Sequence, residues 1–216
     1  LKYKKKYIDA KKLSLNNNLI GGAKKGSSDG AKKGSSGLPI EITKNSERLK
    51  YIEDVMIKDL NILFDKYDLE KYLYTKRIIV DPQVRNISHS HPILTISRGY
   101  VRFKDSLEHL LSTFLHEQFH WYASANKKKI DTLMPKLYDK FPDIRLEHPY
   151  GSGPKYSTYN HIIICFHEYN ALIDLLGQEK AKQIIETMPG YLDIYQTVLS
   201  NFDEIKELLK EHELLP

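Results

Sequence analysis

The clearest chemical pattern in the chain is formed by two histidines and a glutamate in one short segment. Residues 116–120 read HEQFH, so His116 and His120 lie four positions apart and Glu117 directly follows the first. On an α-helix these two positions lie one turn apart on the same face, where two imidazoles can bind one metal ion. Glu117 lies beside this pair and can take a proton from a metal-activated water molecule. The spacing predicts a zinc site with Glu117 as the general base.

The residues around this segment carry no charge. Thr113, Phe114 and Leu115 precede it, and Trp121 and Tyr122 follow it. An uncharged environment excludes water, which strengthens the interaction between a metal ion and its ligands. Over about ten residues the segment resembles the zincin superfamily, whose H-E-x-x-H motif marks zinc metallopeptidases. The resemblance implies a hydrolase that uses Zn²⁺ to cleave a peptide or protein substrate.

A catalytic zinc ion usually has three protein ligands and one open position. The pattern H-E-x-x-H-x-x-G-x-x-H is excluded, because Ala123 and Asn126 stand where it requires Gly and His. The remaining resemblance is to the gluzincins, in which a later helix supplies a Glu. That resemblance lacks one feature, since Leu172 stands where the best-known gluzincins have an Asp four residues after the ligand Glu.

A helix predicted over residues 160–176 supplies the candidates for this third ligand. On a helical projection Glu168 and His161 fall within a stripe of apolar residues, whereas His167 points away. A carboxylate in an apolar stripe needs a cation, because burial of an unpaired charge is costly. We therefore expect Glu168 to be the third ligand. The alternatives are His161 as the ligand, and a Glu168 that pairs with Lys or Arg in the core.

Further residues are candidates for supporting roles. His109 lies two turns before His116, and we expect it to support the site or to be incidental to it rather than to be a ligand. Tyr156, Tyr159 and His161 are candidates for stabilising the oxyanion of a tetrahedral intermediate. His91 and Ile93 lie at the start of a predicted strand which, as in zincins, could pair with an extended substrate; a polar loop without a role is the alternative. Cys165 is expected to be a core residue.

The hydrophobic pattern predicts an α+β fold with a small sheet and dominant helices. An amphipathic helix covers the apolar positions from Leu49 to Phe64, and strands are predicted at 77–81 and 93–97, with 100–103 as a candidate continuation. After Asp105 the pattern is almost entirely helical. Asp105 and Glu108 suggest a capping box for a helix that ends near Ala125. The second site helix ends at Gly177, and further helices are predicted at 178–188, 191–200 and 202–213. By resemblance, the fold is expected to be zincin-like, with the two site helices packed face to face.

Basic charge is concentrated at the N-terminus. Of 33 basic and 28 acidic residues, residues 1–40 hold ten Lys and two Asp, which leaves 23 basic and 26 acidic residues in the remainder. Residues 22–29 (GAKKGSSD) recur as 30–37 (GAKKGSSG), a composition typical of flexible linkers. The sequence predicts a flexible basic tail over 1–37 and a catalytic domain over 38–216. Residues 1–13, followed by glycines, resemble the basic leaders of giant-virus proteins.

Composition also indicates compartment and partners. A single cysteine excludes an intrachain disulfide framework, and no apolar run reaches the roughly 18 residues of a transmembrane helix. We expect a cytoplasmic protein, or a virion protein if the chain is viral, that does not bind membranes. The net negative charge of residues 41–216 argues against nucleic-acid binding by the domain and leaves weak binding by the tail. The rival functions are a non-catalytic protein with a vestigial or structural metal site, and an interaction protein that acts through the tail.

Overall fold

The computed structural model describes residues 49–84 and 87–215, and within these ranges the chain is mostly helical with a small sheet. The predicted α+β architecture is confirmed at this level, whereas the predicted tail 1–37 and the start of the domain lie outside the described residues. The elements are α1 (Lys50–Lys66), a 3-10 helix (Glu70–Tyr72), β1 (Ile78–Asp81), β2 (Leu94–Ser97), a second 3-10 helix (Arg98–Arg102), α2 (Ser106–Ala125), α3 (Lys127–Lys140), α4 (Lys155–Leu176), α5 (Gln178–Ile185), α6 (Leu192–Ser200) and α7 (Phe202–Glu211).

The two strands form a parallel pair in which Ile78 is opposite Leu94 and Asp81 is opposite Ser97. All four residues of β2 are buried. Residues 98–102 form a 3-10 helix, so the candidate continuation of the second strand over 100–103 is wrong. The Ser97 hydroxyl accepts a hydrogen bond from the amide of Gly99 at 3.2 Å, which turns the chain out of the strand and towards α2.

Helix α2 carries the H-E-x-x-H segment and begins one residue after Asp105, as predicted. The predicted capping box does not form, because the Asp105 side chain makes no cap hydrogen bond. Asp105 instead pairs with Lys180 at 3.1 Å, and Glu108 pairs with Lys66 at 3.3 Å. These pairs connect the first turn of α2 to α5 and α1. The start of the helix is thus held by neighbouring helices.

Helix α4 packs along α2 and also contacts α3, α5, α6 and α7. It begins at Lys155, five residues before the predicted start, and ends at Gly177, whose φ of 80° suits a residue without a Cβ. From His161 to Tyr169 every residue is buried. Over this stretch the helix has no exposed residue, so His167 is buried along with Glu168. No helix among the described residues is long and apolar enough to cross a membrane.

Candidate metal centre

Three imidazoles meet where α2 packs against α4. His116 and His120 come from successive turns of α2, and His161 comes from α4. One ring nitrogen from each can be chosen so that the three atoms lie within 4.8 Å of one another. Tetrahedral zinc with Zn–N bonds of ~2.0–2.1 Å would place its nitrogens roughly 3.3 Å apart, so adjustments of about an ångström would close the set. The donor set and its spacing fit a zinc ion.

In both His116 and His161 the hydrogen bond is made by Nδ1, which leaves Nε2 free. Nδ1 of His161 lies 2.7 Å from the Ser157 carbonyl oxygen, and Nδ1 of His116 lies 2.8 Å from a carboxylate oxygen of Glu168. A carbonyl and a carboxylate oxygen can only accept, so both Nδ1 atoms donate a proton. Nε2 of each ring is buried and has no hydrogen-bond partner among the described residues. The cluster therefore contains two buried Nε2 atoms whose hydrogen-bonding capacity no described residue satisfies.

The protonation of the ring nitrogens agrees with this arrangement. Burial lowers the pKa of His120 to about 2 and the pKa of His161 to about 4. Both rings are therefore neutral near pH 7, as metal ligands must be. Burial alone would lower the pKa of His116 as well, but hydrogen bonds with Cys165 and Glu168 raise it well above its ordinary value. Near pH 7 and without a metal ion, His116 therefore keeps protons on both ring nitrogens, and a metal ion would have to displace the proton on Nε2.

Glu168 contacts His116 on the side of the ring that faces away from the cluster. Its fully buried carboxylate accepts hydrogen bonds from the Ser112 hydroxyl, from Nδ1 of His116 and from the Tyr195 hydroxyl at 2.8 Å. Neither a Lys nor an Arg contributes to this set of bonds. A carboxylate that accepts from Nδ1 of a histidine fixes the tautomer and orientation of the ring and makes Nε2 a stronger ligand.

The geometry thus departs from the expected ligand set. Glu168 was expected to be the third ligand, but its contacts place it behind His116, and His161 is the residue that completes the group with His120. His116, Cys165 and Glu168 also lie close enough to form a metal-binding group of their own. That group would have to use Nδ1 of His116 and displace the hydrogen bonds already made to Glu168. The arrangement favours the three histidines.

Glu117 lies beside the histidine cluster, with 6% of its surface exposed. Burial raises the pKa of Glu117 to about 7, opposed by the charge of His116 and reinforced by that of Glu168. A carboxylate with a pKa near neutrality can both accept and release a proton under physiological conditions. Without a cation nearby, half of the molecules would hold a neutral carboxylic acid at pH 7. The position and the pKa suit a general base that later acts as an acid.

Tyr191, which the sequence analysis did not single out, covers two of the imidazoles. Its ring stacks on His161 at 4.5 Å and on His116 at 5.4 Å, with interplanar angles of 30° and 11°. Its backbone is left-handed, with φ 57° and ψ 35°. A non-glycine residue in a sparsely populated backbone region costs roughly 1–3 kcal/mol and is held there by its surroundings. The backbone thus adopts a strained conformation where the ring meets the cluster.

Three residues predicted to support the site have their polar groups engaged elsewhere. His109 lies at the start of α2, where it stacks on Phe103 and bonds to Thr187 at 2.9 Å. The Tyr156 hydroxyl donates to Asp131 on α3 at 2.7 Å, and the Tyr159 hydroxyl donates to the Phe141 carbonyl. Because α4 begins at Lys155, both tyrosines belong to the helix rather than to a loop over the site. The expectation that they stabilise an oxyanion is therefore not supported by their contacts.

The predicted substrate-binding edge of β2 is occupied by the chain itself. The backbone N–H and C=O of Thr95 both bond to His89, at 2.8 and 3.1 Å, and the amide of Ser97 bonds to the Ser88 hydroxyl. These groups point away from β1, so they are the ones an added strand would need. Ile93 and His91 therefore do not border a free strand edge at these positions.

Access to the cluster is widest at His120. His120 is partly exposed, whereas His116 and His161 each expose 6% of their surface. On the next part of α2, Trp121 stacks on the exposed His91 at 4.3 Å and donates to the Ser90 carbonyl at 2.9 Å. His91 is thus a neighbour of His120 through Trp121. A substrate that reached the metal would pass this partly aromatic rim.

The sequence held few signals for the residues that complete the centre. Ser112 lies one turn before His116 on the same face, which is a usable signal within an apolar stretch. Tyr191 and Tyr195 lie 15 and 19 residues beyond the end of α4 in the chain, and nothing in their spacing links them to α2. Burial raises the pKa of the Cys165 thiol, despite its hydrogen bond to His116, so Cys165 remains protonated. That result agrees with the expectation of a core cysteine.

Comparisons of the chain with family models, with curated proteins and with solved structures found no match.

Proposed function

We propose that the chain is a zinc-dependent hydrolase of the zincin type, in which His116, His120 and His161 hold the metal ion. The observation that carries the proposal is the pair of buried Nε2 atoms without hydrogen-bond partners, which lie together with His120 and next to Glu117. Burial of an unpaired polar atom is unfavourable, and a metal ion would satisfy both nitrogens at once. Imidazole nitrogens are also donors that zinc prefers: His120 and His161 are neutral, and zinc binding would displace the second proton of His116.

The side chains around the ligands divide the remaining tasks. A bound zinc ion would activate a water molecule and polarise the substrate carbonyl. Glu117 would accept the proton of that water and deliver it to the leaving amine, which its pKa near 7 permits in both directions. Glu168 would hold Nδ1 of His116 and so direct Nε2 towards the metal. The buried walls formed by α2 and α4 would exclude bulk water from the reacting groups.

Peptides are the proposed substrates, because the H-E-x-x-H helix resembles that of zinc metallopeptidases. The rival proposal is a metal site without catalysis. A structural zinc site has no use for a base beside its ligands, and burial of the Glu117 carboxyl without a cation is unfavourable. The retention of this residue next to the cluster favours the enzyme.

The experiment that tests the proposal separates metal binding from hydrolysis. Purified protein should contain about one zinc ion per chain, and His116→Ala should lose it. Glu117→Gln should keep the zinc ion and reduce hydrolysis of a peptide library by about 10²- to 10⁴-fold, because an amide cannot accept the proton of water. Metal content measured by elemental analysis and turnover of the library give the two readouts.

Glu108→Gln is a matched control, since Glu108 lies on the same helix and pairs with Lys66 away from the cluster. It should change neither zinc content nor turnover. A wild-type protein free of transition metal after purification without chelators would end the proposal. Zinc binding without any hydrolysis, in the wild type and the variants alike, would favour the non-catalytic site.

A further inference from the structure

We propose that Tyr191 is a positioning residue for the metal: its ring holds the imidazoles of His116 and His161 in the orientation that zinc requires. The inference rests on the proposed three-histidine centre. It assigns a role to the residue that immediately precedes α6, a helix that supplies no ligand.

One aromatic ring contacts two ligand rings that come from different helices. Tyr191 lies 4.5 Å from His161 and 5.4 Å from His116, whereas the two imidazoles lie 5.6 Å from each other at an angle of 30°. Each of these imidazoles makes a hydrogen bond through Nδ1, which fixes one point of the ring. A stacked ring constrains the plane of the imidazole as well. The two constraints together determine where Nε2 points.

The segment that carries Tyr191 is held from several directions. Immediately after it, the amide of Leu192 donates to the Pro149 carbonyl at 3.0 Å and the amide of Asp193 donates to the Tyr150 carbonyl at 3.2 Å. The Asp193 carboxylate accepts three hydrogen bonds from Arg145, two from the guanidinium at 2.8 and 2.6 Å and one from the backbone amide at 3.2 Å. These bonds hold a left-handed tyrosine in place, and they fix its ring against the cluster.

The start of α6 constrains the His116 imidazole in two ways. Tyr195 follows Tyr191 by one helical turn, and its amide donates to the Tyr191 carbonyl at 2.8 Å. The Tyr195 hydroxyl donates to Glu168, which accepts the Nδ1 proton of His116. One turn of helix therefore fixes both the plane of the His116 ring and the carboxylate behind it. If this turn only packed the core, it would not need to contact the two proposed ligands, His116 and His161, as well as Glu168, the hydrogen-bond partner of His116.

The test uses zinc affinity, measured by competition with a chromophoric chelator, so that it does not depend on turnover. Tyr191→Leu should weaken zinc binding by about 10- to 100-fold, the range typical of residues that orient metal ligands. Tyr191→Phe keeps the ring and should bind zinc within about threefold of the wild type, because the inference concerns the ring and not the hydroxyl. Substitution of Co²⁺ adds a second readout: the visible spectrum should change in Tyr191→Leu and remain that of the wild type in Tyr191→Phe.

Leu192→Ala is the control for disturbance of the segment, since Leu192 is 40% exposed and contributes no ring to the cluster. It should leave zinc affinity and the cobalt spectrum unchanged. Equal zinc affinity in Tyr191→Leu and the wild type would overturn the inference while leaving the proposed function intact. An equal loss in Tyr191→Phe and Tyr191→Leu would also overturn it. A wild type that binds zinc without hydrolysing peptides would refute the function and leave the inference standing.

Discussion

In the proposed metal centre, His116 is the side chain that connects the ligand set to the core of the protein. Its Nδ1 donates to Glu168, so the ring has only Nε2 to offer to a metal ion. Glu168 accepts hydrogen bonds from three donors, none of which is a lysine or an arginine. Its negative charge would be balanced by a positive charge on His116 or on an ion bound to His116. A zinc ion on Nε2 would supply that charge through the imidazole. The carboxylate is therefore placed to strengthen the ligand, which is a different role from binding the metal itself.

Substitution of His161 and of Glu168 distinguishes these roles. His161→Ala removes a ligand and should weaken zinc binding more than 100-fold, whereas Glu168→Gln should weaken it by about 10- to 100-fold, because the ring of His116 remains but loses its charged partner. Zinc titrations of both variants provide the measurement. Glu204→Gln, on an exposed ion pair with Lys140, is the control and should bind as the wild type does. The reverse order of the two losses would restore Glu168 as the third ligand.

At this scale the sequence indicated part of the centre. The i, i+4 spacing of His116 and His120 follows from helix geometry alone and needs no tertiary information. The choice between His161 and Glu168 could not be made in this way, since both lie on the buried surface of one helix. What distinguishes them is which nitrogen of His116 each one faces, and that depends on how α2 and α4 are placed side by side.

Among the elements, α4 is the one whose environment the hydrophobic pattern described least well. A helical projection assumes one buried face. Helix α4, however, contacts α2 and four further helices, and His167 is only 2% exposed. The His167 ring stacks on Phe119 at 5.2 Å and on its other side meets Tyr122. The bounds of the other predicted helices agree with the structure within a few residues, and the two predicted strands are found at 78–81 and 94–97 although β2 is buried throughout.

The burial of His167 predicts a dependence of stability on pH. Burial lowers the pKa of His167 to about 4, from an ordinary value of 6.5, although an interaction with the Leu214 backbone opposes the shift. Between these two values the unfolded state binds a proton that the folded state does not. The free energy of unfolding should therefore fall as pH is lowered from 6.5 towards 4, by roughly 2 kcal/mol at pH 5 for this group alone. Above pH 6.5 both states are neutral and the contribution vanishes.

The measurement compares urea unfolding of the wild type with that of His167→Phe at pH 7 and pH 5. Phe preserves the stacking on Phe119 but cannot take up a proton. The difference between the two proteins removes the contributions of the other histidines, His120 and His161 included. The variant should lose less stability than the wild type on acidification, by about the same 2 kcal/mol. Parallel losses in both proteins would show that His167 does not carry the effect.

For the molecule as a whole, the proposed metal centre lies within a core that extends well beyond it. Buried apolar side chains from α1, the two strands and α2 to α7 form one continuous cluster. A zinc ion would join α2 to α4, which already share an extensive apolar contact. We therefore expect the metal to add to the stability of a domain that folds without it, in contrast to small zinc domains that have little core of their own.

Removal of the metal tests this expectation. At a free zinc concentration about 100 times the dissociation constant, binding stabilises the folded state by about 2.7 kcal/mol. For a domain of this size, each kcal/mol corresponds to a shift of roughly 2–4 °C, so a chelator should lower the melting temperature by about 5–10 °C and leave a single cooperative transition. His161→Ala should show no such shift, because it cannot hold the ion, whereas Tyr156→Phe, altered only in an exposed contact with Asp131, should shift as the wild type does. Loss of any cooperative transition in the chelator would mean that the fold depends on the metal, and an unchanged melting temperature would mean that no metal joins the two helices.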